Sequence, residues 1–204
     1  FYGGALAEQI VAAAQAQPDP GSLRRSDLER YAVRVRPVVC GGFRALEICS
    51  ASPPSSGAMQ IMVPKLYDYL RGQASSGGKM QDFVDAQRLA YADRDHFFAD
   101  PDWVDVPVEA LLDQTYLRQR ANARFAPDAV PKHGNPLGGT ALGADTTQEP
   151  SGTTHLSLID SEGNAVSFTA TVESAFGSAR WAGGFLLNND CLLYTSPSPR
   201  DGLL

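Results

Sequence analysis

Thr153 and Thr171 are the residues whose type and placement could do chemistry in this sequence. Both lie in SGTTHLSLIDSEGNAVSFTAT, residues 151–171. Two alternating runs flank DSEGN, where Gly163 supplies the left-handed residue that a three-residue hairpin loop needs. With Asp160 and Asn164 flanking that loop, residue 158 pairs with 166, 156 with 168 and 154 with 170. Leu156, Leu158, Val166 and Phe168 then share one face, and Ser157, Ser167, His155, Thr169, Thr153 and Thr171 the other. This register sets Thr153 opposite Thr171. Cross-strand neighbours have Cβ atoms about 4.5–5.5 Å apart, within hydrogen-bond reach of two short hydroxyl side chains. A threonine hydroxyl is a weak nucleophile unless a base lies beside it. The pattern alone also describes ordinary sheet threonines, because Thr is a good strand residue.

The elements that must position this hairpin come before it. Residues 4–16 place Leu6, Ile10, Val11 and Ala14 at helical spacing, and Ser26 to Glu29 form a capping box for a short second helix. RVRPVVCGGFRALEICS reads as a hairpin with its turn near Gly41-Gly42. SPPSSG is a loop, followed by an apolar segment and a Gly/Ser linker at 72–78. A helix is expected from Lys79 to Phe98, with Met80, Phe83, Val84 and Tyr91 as its face, and another from Pro107, with Val108, Leu111, Leu112 and Leu117 as its stripe. DRDHFFADPDW between them reads as a solvated, helix-capping connector, since its acids fit no metal-loop spacing. Residues 125–152 hold Pro127, Pro131, Pro136 and Pro150 without periodicity. This long tether is the kind of loop that is usually functional or disordered.

Composition narrows the classes. The chain has 204 residues, 43% hydrophobic and 20% charged, with a net charge of -6, which suits one domain with a sizeable core. The acidic balance and the lack of a basic stripe argue against nucleic acid. No apolar run approaches a membrane span. Cys40, Cys49 and Cys191 are an odd count without framework spacing, so no disulfide scaffold and no metal site are expected. His96, His133 and His155 are too scattered to form a ligand cluster by spacing. The start, FYGGALAEQI, reads as an internal piece of a longer protein.

TTHLSLID, DSEGNAVSFTATVESAFGS, GGFLLNN, PPSSG and AYADRDHFFADPDWVDVP together resemble the gamma-glutamyltransferase family of N-terminal-nucleophile hydrolases, in that family's order and over roughly residues 1–189. The resemblance implies an α+β chain, part of a four-layer αββα fold. It implies self-cleavage between Gly152 and Thr153, with residues 1–152 as the end of a large subunit and 153–190 as the start of a small one. Thr153 would then be both nucleophile and new N-terminus. Its α-amino group, with a reference pKa of about 7.7–8.0, can take the hydroxyl proton. Thr171 matches the threonine that orients the nucleophile; His155 shares their face in this register and is assigned a structural, supporting role and not that of base. Glu173 matches a position near the substrate amino group, where better-known members carry Asn. Asn188 and Asn189 match a wall of the glutamyl pocket, and Asp190 stands where Gln or Glu is usual.

The implied activity is transfer or hydrolysis of a γ-glutamyl group from glutathione-like donors to water or an amino-acid or peptide acceptor. It implies no cofactor, a large/small subunit heterodimer, and a periplasmic or secreted protein. Alternatives are a related acylase or amidase, or an uncleaved homologue serving as a binding module. The tail CLLYTSPSPRDGLL, residues 191–204, matches none of the quoted motifs and reads as non-native. The family's later pocket residues are missing, so the piece as written is expected to be inactive.

Overall fold

A computed structural model describes residues 1–74, 76–123, 125–126, 128–136 and 152–189. Along the chain run α1 (Ala5–Ala14), α2 (Arg25–Arg30), β1 (Val38–Phe43), β2 (Leu46–Ala51), α3 (Gly57–Arg71), α4 (Lys79–Phe97), α5 (Val108–Leu112), α6 (Gln114–Asn122), β3 (Thr154–Ile159), β4 (Ala165–Ala170), β5 (Trp181–Ala182) and β6 (Phe185–Leu186). The described strands form three two-stranded antiparallel sheets, β1-β2, β3-β4 and β5-β6. They divide between two compact units, one built from residues 1–34 with 152–189, the other from residues 35–136. Residues 137–151 of the expected 125–152 tether, Asp190 and the tail at 191–204 lie outside the described residues.

The second unit is a helical layer with one hairpin. Ala58, Met62 and Leu66 of α3 meet Ala86, Leu89 and Ala90 of α4, with Leu111 and Leu117 closing the cluster. Each buried Leu or Met contributes roughly 1.5–3 kcal/mol. The β1-β2 hairpin lies against α3. Gly41 permits this, because a Cβ there would press into the Ile61 side chain.

This unit departs from the expectations in five places. The hairpin turns at Arg44-Ala45, with Phe43 paired to Leu46, and Gly41-Gly42 lie inside β1. Arg44 adopts φ 55 to make the turn. That register sets Cys40 directly opposite Cys49, and the two form a disulfide. The face of α4 also differs. Met80 is 76% exposed, and Phe83, Val84 and Tyr91 are also exposed, whereas Asp82, Ala86, Leu89, Ala90, Asp93 and Phe97 are buried. Small alanines admit α3 at close range, and the two aspartates enter with partners. Asp113 splits the helix expected from Pro107: it ends α5 and caps α6, its carboxylate accepting the Tyr116 N–H at 2.9 Å.

The fifth is the acidic connector, which is not solvated throughout. Asp93 is 0% exposed and accepts from Tyr116 Oη (2.8 Å), Arg120 Nε (3.0 Å) and the Gly134 N–H (2.7 Å). Asp100 is buried and accepts from Arg36 at 3.0 Å. The Gly/Ser linker is likewise held in place. Asp82 accepts from Ser76 Oγ (2.6 Å), the Gly77 N–H (3.0 Å) and Arg71 (3.0 Å).

Burial raises the Asp82 carboxyl, but the bonds from Ser76, Arg71 and Gly77 outweigh it and hold the group below its ordinary value. A lowered folded pKa gives stability that is present above the unfolded value, about 3.9, and lost as pH falls through the folded one. The Asp82→Asn protein is therefore expected to unfold at lower urea than wild type at neutral pH and to converge with it in acid. Urea midpoints measured across that range check this; a constant gap at every pH would contradict it.

In the first unit, α1 buries Ala7 and Ile10. The α2 helix starts one residue before the expected capping box. Asp27 supplies the cap, its carboxylate accepting the Arg24 N–H at 2.8 Å. The β3-β4 ladder has the expected register: Leu158 pairs with Val166, Leu156 with Phe168 and Thr154 with Ala170. Gly163 sits at φ 86 in the turn. Asp160 closes that turn, accepting from Asn164 Nδ2 and the backbone N–H groups of Asn164 and Glu162. These bonds, led by that from the Asn164 side chain, lower its carboxyl pKa. Both faces of the hairpin are exposed, Leu158 by 62% and Phe168 by 53%.

Candidate active site

The site forms where the chain enters β3 and leaves β4. Gly152, Thr153, Thr154 and residues 170–175 line an open cleft of about 600 Å³. The ladder ends at Thr154 and Ala170, one step before the expected Thr153–Thr171 pair. The Thr171 hydroxyl does not reach the Thr153 hydroxyl. It donates to the Gly152 carbonyl oxygen and accepts the Glu173 N–H at 2.8 Å. The reason is local: in an uncut chain the peptide carbonyl before Thr153 is a strong acceptor, and it lies next to β4. Both hydrogen-bonding directions of Thr171 are fixed, so its proton points at the carbonyl of the bond that joins Gly152 to Thr153.

Backbone shape builds this contact. Glu173 is in the left-handed region at φ 68, which turns its N–H back onto Thr171. The same bend brings the Glu173 carbonyl so close to Gly152 that a Cβ there would collide with it. Gly152 is thus required by close approach. Asn189 holds the bend from behind: its Oδ1 accepts the Ser174 N–H at 3.0 Å, its Nδ2 donates to Ser174 Oγ at 3.0 Å, and its N–H donates to the Val172 carbonyl at 3.4 Å.

Of the residues singled out from the sequence, Gly152, Thr153, Thr171 and Glu173 meet in one cleft. Asn188 and Asn189 are not among its lining residues. Asn189 acts on it through Ser174, and the Cα of Asn188 lies against Gly177. Ser174 was missed, since no short-range pattern marks a serine that pairs with a side chain 15 residues away. His155 is engaged on the polar hairpin face, with Nδ1 2.7 Å from Thr169 Oγ1 and Nε2 3.1 Å from Ser157 Oγ.

Among the described residues, one group could in principle hold a metal ion: Cys40, Glu47 and Cys49, in the other unit. Its two sulfurs are bonded to each other, which leaves no thiolate to ligate. The cleft can support acyl transfer. A hydroxyl lies beside a carbonyl that already accepts a directed hydrogen bond, and the opening admits water.

The family profile described as Gamma-glutamyltranspeptidase matches residues 1–203. The glutathione hydrolase proenzyme of Escherichia coli is 35% identical over 195 residues, covering 93% of this chain and 32% of that protein. The crystal structure of Helicobacter pylori gamma-glutamyltranspeptidase is 32% identical with a TM-score of 0.53, covering 64% of this chain and 38% of that one. A cephalosporin acylase from Bacillus halodurans shares the fold, with a TM-score of 0.74 at 20% identity over 98% of this chain and 35% of that one. The chain spans about a third of the length of the curated relatives it matches. The profile runs over almost every residue and relatives above 30% identity agree with it, so the chain belongs to the gamma-glutamyltranspeptidase family of enzymes.

Proposed function

We propose that this stretch belongs to a longer proenzyme that cuts itself between Gly152 and Thr153 and then uses Thr153 to transfer or hydrolyse γ-glutamyl groups from glutathione-like donors. The observation that carries this reading is the Thr171 hydroxyl bonded to the Gly152 carbonyl oxygen, beside Thr153 in an open cleft. In the first stage the Thr153 oxygen attacks the Gly152 carbonyl carbon and the C–N bond breaks, giving an ester and a free amine. Water then opens the ester, releasing a Gly152 carboxylate and restoring the Thr153 hydroxyl. Thr171 donates to the carbonyl oxygen as its negative charge grows.

In the second stage the Thr153 α-amine takes the hydroxyl proton, and the oxygen attacks the γ-carbonyl of the donor. The donor's amine leaves with a proton, and water or an acceptor amine frees the γ-glutamyl group. Glu173 faces the same cleft, where its carboxylate suits the substrate ammonium. Asn188, Asn189 and Asp190 are proposed for the glutamyl side. Residues 1–152 and 153–190 then fall to the large and small subunits, within an αββα sandwich. The Cys40–Cys49 disulfide supports an oxidising compartment, periplasmic or secreted.

The test is turnover by the full-length protein of a γ-glutamyl anilide against a glutaryl anilide. Preference for the γ-glutamyl compound is expected; preference for the glutaryl compound would move the assignment to an acylase.

Thr171→Val removes the donor and keeps β-branching. In the uncut chain that donor serves the Gly152 carbonyl; once the chain is cut, we take the same hydroxyl to orient the Thr153 oxygen, so its loss is expected to slow acylation by about 10²–10³-fold, with a cost to folding of about 1 kcal/mol from the bonds it gives up. Single-turnover kinetics beside thermal melting check this. Normal acylation with a lowered melting point would leave Thr171 a packing role only.

A further inference from the structure

Arg180 plays no part in the site described above, yet its side chain donates to four main-chain carbonyls. One terminal nitrogen of its guanidinium donates to the carbonyls of Ala13 and Ala16, both at 2.7 Å. The other donates to the carbonyls of Pro18 at 2.7 Å and Asp19 at 2.6 Å. Ala13 is in the last turn of α1, where carbonyls carry partial negative charge, and Ala16, Pro18 and Asp19 are in the loop that follows it. A planar guanidinium can answer several at once, which an ammonium cannot do in one geometry.

Arg180 is itself held in place. Its carbonyl accepts the Leu187 N–H at 2.8 Å, which closes the small hairpin of β5 and β6. That hairpin lies on the same upstream segment. Ala182 is buried, β5 packs on α1, Gly183 lies under Leu6, and Phe185 stacks on Phe1 with ring centroids 6.5 Å apart. Its far end returns to Asn189, which braces the bend after Thr171.

Arg180 therefore lies downstream of Thr153, and all four of its acceptors lie upstream. We infer that Arg180 is an intersubunit clamp: after a cut before Thr153, its guanidinium holds the last turn of α1 and the loop after it, in the upstream piece, against the piece that begins at Thr153. This rests on the cleavage proposed above. The clamp's partner is a set of uncharged backbone carbonyls, so charge alone cannot replace the guanidinium.

The experiment uses the full-length protein as wild type, Arg180→Ala and Arg180→Lys. Intact mass reports cleavage, and size-exclusion chromatography over a urea series reports whether the two products stay together. All three proteins are expected to be cut. The Arg180→Ala pair is expected to dissociate about tenfold to a hundredfold more readily than wild type, with Arg180→Lys in between. Cut wild type with an Arg180→Ala pair as tight as its own would overturn the clamp alone. Should Arg180→Ala fail to fold, an Arg180→Lys pair as tight as wild type would overturn it equally. Uncut wild type would overturn the cleavage reading, and the clamp with it.

Discussion

Full-length protein carrying Thr153→Ala is expected to accumulate as one uncut chain, with γ-glutamyl release reduced by about 10⁴-fold or more. Both losses have one cause. The cleft places Thr153 next to the Gly152 carbonyl, and Thr171 already donates to that oxygen. Without the Thr153 hydroxyl nothing attacks, so no new N-terminus forms, and the amine needed as base stays locked in a peptide bond. Thr153→Ala removes only a hydroxyl and a methyl from Cβ, at a position outside the β3 ladder. Folding should therefore be close to wild type. Intact mass and circular dichroism read the two effects separately. A Thr153→Ala protein cut as fully as wild type would remove the first stage of the mechanism.

The largest stability effect is expected at Asp93. Asp93→Asn keeps the shape of the side chain but takes the counter-charge from Arg120, which is 6% exposed and otherwise donates to the Leu89 and Lys132 carbonyls. Leaving a buried cation uncompensated costs about 3–5 kcal/mol. Burial, and then the Asp93 charge, raise the Tyr116 phenol pKa, so Tyr116 stays protonated and donates to Asp93. Tyr116→Phe removes that single bond and is expected to cost about 1.5–3 kcal/mol, since the partner is charged. Urea unfolding of the three proteins gives the ranking. An Asp93→Asn protein within about 1 kcal/mol of wild type would mean that Arg120 finds water instead.

The β3-β4 hairpin was legible because its alternation and Gly163 admit one register that separates Leu156, Leu158, Val166 and Phe168 from the hydroxyl-bearing face. The first hairpin was not. Two glycines look like a turn, but Gly41 serves the approach of Ile61, while Arg44 adopts the left-handed φ without any glycine. Misplacing that turn hid the disulfide, because Cys40 meets Cys49 only in the register that turns at Arg44-Ala45. On α4 an apolar count chose Met80 and Phe83. The buried side is set by small alanines and by acids whose partners, Tyr116, Arg120 and the Gly134 N–H, lie far along the chain.

The site divides in the same way. Register paired Thr153 with Thr171 and the family resemblance added Glu173; the structure sets all three along one cleft. The contact of Thr171 with Gly152 and Glu173 was not legible, because it uses a main-chain carbonyl and the left-handed bend at Glu173. Arg180 left no short-range signal, since its acceptors lie more than 160 residues upstream.

The most direct measurement is peptide mass spectrometry of the full-length protein, acid-quenched during turnover of a γ-glutamyl anilide. The predicted result is a peptide that begins at Thr153 and carries one γ-glutamyl group in ester linkage. A γ-glutamyl group on another residue, or active protein whose peptide runs uncut from Gly152 into Thr153, would contradict it.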